Sequence, residues 1–301
     1  MTSKSTPTIW FTNNIHSKTV CGALAEGTGF PLRHADEACD MPGKNPGPSI
    51  VYGLLRGCSE IIQRCMAADE NYWHIDHGYI GRCHYDGYYR ITKNGLQEHP
   101  TTFRPGVTGP VLNPPRRTNY DLKPWRKGGK YVVLIPPTLT VVAHTQHSSW
   151  WAGRRPCSWE GDARRSLEIY HKGHRVPGKY KYELIVSTKS GPTFDDLKGD
   201  ALAVVTKNSN AAIDALIYGI PAYQTDGVLG DFCGTLSEDS CKGIWGNPEQ
   251  WLDWRKGGKP FVRGKPDREP FLNWLTNQQF TLDEMRSGEA WKLLEKQHEY
   301  R

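Results

Sequence analysis

The chain has 301 residues, 38 Lys and Arg against 32 Asp and Glu, and a net charge of +6. That length buries a sizeable core as one large or two medium domains, and the mild basicity permits a polyanionic partner without demanding one. No apolar run reaches the roughly 18 residues that span a bilayer, so no membrane partner is expected. The first residues, MTSKSTPTIWFTNN, lack an apolar signal core, and the 8 cysteines form no CxxC pair. A cytoplasmic protein with reduced thiols is the expectation.

In chain order, residues 7–12 (PTIWFT) read as a first strand that ends in the polar turn Asn13-Asn14. Residues 26–48, rich in Gly and Pro, read as a loop. Residues 49–52 read as a short strand and 57–67 as a helix, with Ile61, Ile62, Cys65 and Met66 on one face. Residues 72–75 form a strand that delivers Asp76, His77 and Gly78 at its carboxyl end. Residues 97–129 carry Pro114-Pro115-Arg116-Arg117 and Arg126-Lys127-Gly128-Gly129, a linker or mobile loop by composition. A second α/β unit follows: a buried-type strand at 131–135 (YVVLI), a helix at 159–172 and a strand at 182–187.

The most informative stretch is LAVVTKNSNAAIDALIYGIPAYQT, residues 202–225. A Val-rich strand runs into the polar turn Thr206-Lys207-Asn208-Ser209-Asn210. A helix with Ala211, Ala212, Ala215 and Leu216 on its apolar stripe comes next. Gly219 stops it, Pro221 prevents its continuation, and another strand begins at Ala222. The tail from Glu269 is mostly helical, with Pro270 suited to a helix start and Thr281-x-x-Glu284 as a capping box. Alternating strands and helices imply mainly parallel sheets. The expected fold class is α/β, with two Rossmann-like domains, residues 1–128 and 129–268, a cleft between them, and a helical tail, residues 269–301.

Four places can carry chemistry. At the turn Lys207 to Asn210, Ser209 or Asn210 can cap the helix and bind a phosphate oxygen beside unpaired N–H groups, and Asp214 one turn on can accept ribose hydroxyls. A capped helix with a surface Asp is the plain alternative. Past the strand at 182–187, Lys189 and Ser190 lie at a carboxyl end, where a diphosphate clamp or a solvated turn would sit equally well. Asp76 and His77 lie at the carboxyl end of a strand in the first domain; transfer to a hydroxyl needs a proton acceptor, Asp76 first and His77 second. A hydrogen-bonded strand end competes with that role. Metal binding through His74, Asp76, His77 and His84 is disfavoured, because 74 and 76 share a strand face and 77 points away; no divalent metal is expected to be required. Thr138, after YVVLI, borders the same crevice.

VVTKNSNAAIDALIYGIPAY resembles the donor-site segment of GT-B glycosyltransferases and capsule-polysaccharide transferases, through Ser209, Asp214, Ala215, Leu216, Gly219 and Pro221. YWHIDHGYIGR and DREPFLNWLTNQQFTLDEMRSGEAW are similar to segments of bacteriophage proteins grouped with glycosyltransferases. The resemblance covers about a third of the chain. It implies a GT-B fold of two facing domains, with the tail packing back on the first and a nucleotide sugar (a UDP-sugar foremost) bound mostly on the second through Ser209 and Asp214; Lys189, Ser190, Asn208, Asn210 and Thr138 are the further donor-side candidates by position. It also implies an acceptor on the first domain, where Asp76 takes the proton. Phage enzymes of this kind glycosylate hydroxymethylated bases in DNA. By that analogy Arg116, Arg117, Arg126 and Lys127 would meet duplex phosphates, and Trp73 or Tyr79 would stack on an extruded base. A glycan or small-molecule acceptor, or a nucleotide-binding protein without turnover, is the alternative.

Overall fold

The computed structural model describes residues 6–40, 45–82, 86–97, 120–126, 129–144, 159–161, 163–164, 183–188, 190–224, 227–229 and 268–299. The first part runs β1 (Thr8–Phe11), α1 (Ile15–Thr28), β2 (Leu32–His34), α2 (Ala35–Cys39), β3 (Ser49–Tyr52), α3 (Cys58–Ala67), β4 (Tyr72–His77) and β5 (Tyr89–Lys93). The second runs β6 (Tyr131–Ile135), β7 (Glu183–Val186), α4 (Phe194–Leu197), β8 (Ala201–Thr206), α5 (Ala211–Ile217) and β9 (Ala222–Gln224). The tail holds α6 (Arg268–Thr276), β10 (Gln279–Phe280), α7 (Leu282–Arg286) and α8 (Glu289–Glu299).

The fold is α/β with two sheets. One is six-stranded in the order β10-β5-β4-β3-β1-β2; the other is four-stranded in the order β7-β6-β8-β9. Strands β1 to β4 pair in parallel, and β5 and β10 extend the first sheet antiparallel. Every pairing in the second sheet is parallel. The four parallel strands of each sheet follow one scheme: the first strand is flanked by the second and third, and the fourth lies outside the third. Val132 to Leu134 and Ala203 to Thr206 are buried, as expected for parallel strands covered on both faces.

Local chemistry explains the elements the sequence pattern does not announce. Asn14 caps α1 by accepting from the His16 N–H at 2.8 Å, and Gly29 closes the helix in the left-handed region at φ 70°. The buried stripe of α1 is made of small or mixed residues, Ser17, Val20, Cys21, Ala23 and Leu24. The stretch 26–48, read as loop, contains β2 and α2 instead. His34 accepts from the Asp36 N–H while Glu37 accepts from the His34 N–H, a reciprocal cap that lets a five-residue helix start there. At Thr281 the capping box forms with Glu284.

The tail joins both parts. Phe271, Leu272 and Leu275 of α6 share a core with Ile213 and Leu216 of α5 and with Tyr79 and Ile80, which follow β4. Then β10 pairs with β5, and Met285, Trp291 and Leu294 pack with Val20 and Leu24 of α1. The segment after β4 is therefore built into the core of the second part rather than lying at an open edge. Of the helix expected at 159–172, residues 159–161 and 163–164 are described, and they are helical. No helix among the described residues is long and apolar enough to cross a membrane.

Candidate functional site

In open parallel sheets ligands bind beyond the carboxyl ends of the strands, where the strand order reverses. That point lies between β1 and β3 in the first sheet and between β6 and β8 in the second. The two carboxyl ends meet. Ser59, at the start of α3, hydrogen-bonds His144 Nδ1 at 2.7 Å, at the end of a helical segment over 139–144 that follows β6. Asn210 Nδ2, after β8, donates to the Gly78 carbonyl after β4 at 3.3 Å. Gln97 Nε2 donates to the Asn208 carbonyl at 2.6 Å.

Arg90 is the centre of this junction. It stands opposite Asp76 in the β4–β5 ladder, only 4 % of its side chain is exposed, and its guanidinium lies over the Tyr79 ring, 5.0 Å from the centroid. Nη2 donates to Asp76 Oδ2 at 2.6 Å, and Nη1 donates to the His77 carbonyl at 2.9 Å and to Asn210 Oδ1 at 3.2 Å. The other Asp76 oxygen accepts from the His77 N–H at 2.8 Å. Protein surrounds the carboxylate closely, yet 37 % of its side chain remains open to solvent.

These contacts set the charges. Burial pushes the Asp76 carboxyl up, but the Arg90 cation, His74 and the His77 N–H outweigh it and hold the group below the usual carboxylate range. Asp76 is therefore an anion at neutral pH. Burial drives His74 down to about 4; Asp76 opposes that shift, while Arg90 and His144 add to it. Beside them the Tyr52 hydroxyl lies 3.4 Å from His77 Nε2. Burial, then the Asp76 charge, pushes that phenol above its ordinary value. The His77 ring stacks on Tyr89 at 5.8 Å.

On the other side the turn after β8 offers neutral groups and a buried lysine. Thr206 Oγ1 accepts from the Ser209 N–H at 3.3 Å, and Ser209 Oγ accepts from the Ala211 N–H at 3.2 Å. Asn210 precedes α5 without capping it, because its amide is engaged with Arg90 and Gly78. Lys207 is buried. Asp214 forms an ion pair with Arg82 of the first part. Burial pushes the Asp214 carboxyl up and Arg82 only partly reverses the shift. Thr138 Oγ1 accepts from the Val141 N–H at 3.4 Å, closing the turn into the 139–144 segment.

Of the residues singled out in sequence, the junction gathers Asp76, His77, Asn208, Ser209, Asn210 and Asp214. Thr138 starts the segment that carries His144 to Ser59. Ser190 is an exposed turn residue after β7. Lys189, Arg116, Arg117 and Lys127 lie outside the described residues. Arg126 donates to the Gly199 and Ala201 carbonyls at 2.7 and 3.3 Å, at the amino end of β8 and away from the junction. Tyr79 has no exposed surface, and Trp73 is buried against Trp291 with ring centroids 5.2 Å apart. Both rings are core residues here, because the segment after β4 enters the second core and α8 covers β4. Among the described residues no three His, Cys, Asp or Glu side chains are arranged to hold a metal ion.

Arg90, Arg82, Tyr52, Gln97 and the Ser59–His144 contact carry no motif in the sequence. Only the alternation of YRITK hints at Arg90, and its partner depends on hairpin register. No family model matches this sequence, and neither does any curated protein.

Proposed function

We propose that the chain is a nucleotide-sugar-dependent glycosyltransferase working across the junction of its two sheets. One observation carries this reading: the carboxyl ends of the two parallel sheets converge, bringing an ionised carboxylate and an imidazole from one against a turn of amide and hydroxyl groups from the other. Transfer of a sugar needs those two functions side by side, a proton acceptor for the incoming hydroxyl and neutral hydrogen-bonding groups for the departing nucleotide. Asp76 takes the hydroxyl proton, with His77 next to it as the second acceptor. Asn208, Ser209 and Asn210 face the phosphates, and Asp214 the ribose once it leaves Arg82. The sequence resemblance supplies the donor class, a UDP-sugar foremost. It also supplies the first acceptor to test, a hydroxymethylated base in duplex DNA.

The ion pair of Asp76 with Arg90 favours a second reading. A carboxylate held below its usual range is a weak base, and a protein that binds a nucleotide without turnover would tolerate that pairing. The two readings separate in one experiment. The full chain is incubated with hydroxymethylated duplex DNA, glycans and small hydroxyl compounds, each with a panel of nucleotide sugars, and mass spectrometry follows the acceptor. A hexose-sized mass gain that falls about 10²–10⁴-fold in Asp76→Asn, with donor binding retained, supports general-base transfer. Donor binding with no mass gain on any acceptor points to the binder, and absence of nucleotide binding removes both.

A further inference from the structure

Arg90 has a role that neither sheet explains alone. Its guanidinium is buried and planar, and its two terminal nitrogens face different parts of the molecule. Nη2 holds Asp76 Oδ2 at 2.6 Å within the first sheet, while Nη1 reaches Asn210 Oδ1 at 3.2 Å in the turn after β8. The same Nη1 binds the His77 carbonyl at 2.9 Å, and the Tyr79 ring supports the guanidinium face. Asn210 closes the ring of contacts by donating to the Gly78 carbonyl at 3.3 Å. A guanidinium is a rigid fork, so moving one prong turns the other. We propose that Arg90 is a positioning residue that couples the seating of the second part of the molecule to the placement and charge of the Asp76 carboxylate.

With Asn210 seated, Nη2 stays on Asp76 and the cation keeps that carboxylate ionised in a partly dry site. With Asn210 withdrawn, Nη1 keeps the His77 carbonyl alone, the fork is free to turn, and Nη2 is held less closely on Asp76. Burial then acts on Asp76 with less opposition, and its proton affinity rises. The titratable groups facing Asp76 are Arg90 from β5, His74 and His77 from β4, and Tyr52 from β3. Asn210, from the turn after β8, is neutral, and its contact with the charges around Asp76 is the one to Arg90. Opening and closing the junction would thus change the basicity of the acceptor-side carboxylate. The consequence for sugar transfer rests on the function proposed above; the coupling itself does not.

The test uses the full chain labelled with ¹³C at aspartate, and the Asp76 carboxyl carbon is assigned through Asp76→Asn. Titration runs downward from pH 8 for as long as the fold persists. In the native chain the signal stays that of a carboxylate through the ordinary carboxylate range. In Arg90→Gln the proton affinity of Asp76 rises at least about tenfold, one unit of midpoint. Asn210→Ala, which touches neither Asp76 nor the charge of Arg90, raises it at least about twofold, and Arg90→Lys, which keeps the charge but not the fork, falls between the native chain and Arg90→Gln. A native-like titration in Arg90→Gln, or a change smaller than twofold or a downward change in Asn210→Ala, overturns the coupling. Should Arg90→Gln fail to fold, Asn210→Ala and Arg90→Lys decide it alone. This readout does not require transfer, so a chain without transferase activity can still satisfy it. Where transfer is found, the acid limb of kcat/KM moves in the same order.

Discussion

Strands β1 to β4 and strands β6 to β9 follow the same order, yet their carboxyl ends differ in chemistry. The first sheet ends in charge: Asp76 beside Arg90, His77 beside Tyr52, and buried His74 behind them. The second ends in a turn where Thr206, Ser209 and Asn210 satisfy backbone and neighbouring groups. Of its charged residues at the junction, Lys207 is buried and Asp214 is paired with Arg82 from the other part. Strand order supplies the position of a site, and the residues that follow each strand supply its chemistry separately. Among the described residues the antiparallel extension belongs to the first sheet alone, and it is β5 that brings Arg90 to Asp76.

The largest expected effect tests how firmly the two parts are joined. Phe271 is fully buried in the core that Tyr79 shares with α5. Phe271→Ala should cost about 3–5 kcal/mol in urea denaturation. Hydrogen exchange should quicken in β6 and β8 before β1 and β3; equal acceleration in both sheets would mean that the parts unfold as one.

The second test separates the sheets by acid. His74 titrates near pH 4 in the folded chain against an ordinary value of 6.5. The unfolded chain thus binds the proton first as pH falls. Stability is complete above about pH 6.5 and declines toward pH 4, by about 3 kcal/mol in all. Asp76, held low, adds a further loss only as pH falls below the ordinary carboxylate range. In Asp214 the shift is upward, so lowering the pH relieves the second part instead. Denaturation at pH 7, 5.5 and 4.5 should show the decline in the native chain and a flatter profile in His74→Gln. An unchanged slope would mean that another group carries it.

A smaller effect concerns the helices over the first sheet. Gly27 lies inside α1, where alanine would ordinarily add about 1 kcal/mol of helix stability. Here a Cβ would run into the backbone of Met285, Arg286 and Gly288. Crowding of that kind costs about 1–3 kcal/mol, so Gly27→Ala should destabilise on balance, and a rise in the urea midpoint would refute the close approach. The smallest effect is at the Arg82–Asp214 pair, whose side chains are 31 % and 27 % exposed. Asp214→Asn should change stability by less than about 1 kcal/mol. It should also make the native chain less sensitive to salt, and an unaltered salt response would show that the pair contributes nothing.

Much of the frame is visible in local pattern. The apolar runs at 131–135 and 202–205, short and bounded by turn residues, read as strands buried on both faces. Ser209 and Gly219 bracket α5, and Thr281 with Glu284 starts α7, because caps and breakers act through neighbouring residues. The alternation of strands and helices dictates parallel pairing, since parallel neighbours need a crossover between them. That logic also puts Asp76 and His77 at a carboxyl end. It fails where a segment's role depends on something distant. The Gly- and Pro-rich stretch before β3 holds β2 and α2, because pairing with β1 and the His34 cap override composition. Tyr79 and Trp73 look like stacking surfaces until α6 and α8 close over them. Arg90 meets Asp76 only because a hairpin register sets residue 90 opposite residue 76, and it meets Asn210 only because two separately formed sheets come end to end. Periodicity and capping are local energies that the amino-acid order determines by itself. Which charges face one another across the junction depends on long-range packing, and only the tertiary structure decides it.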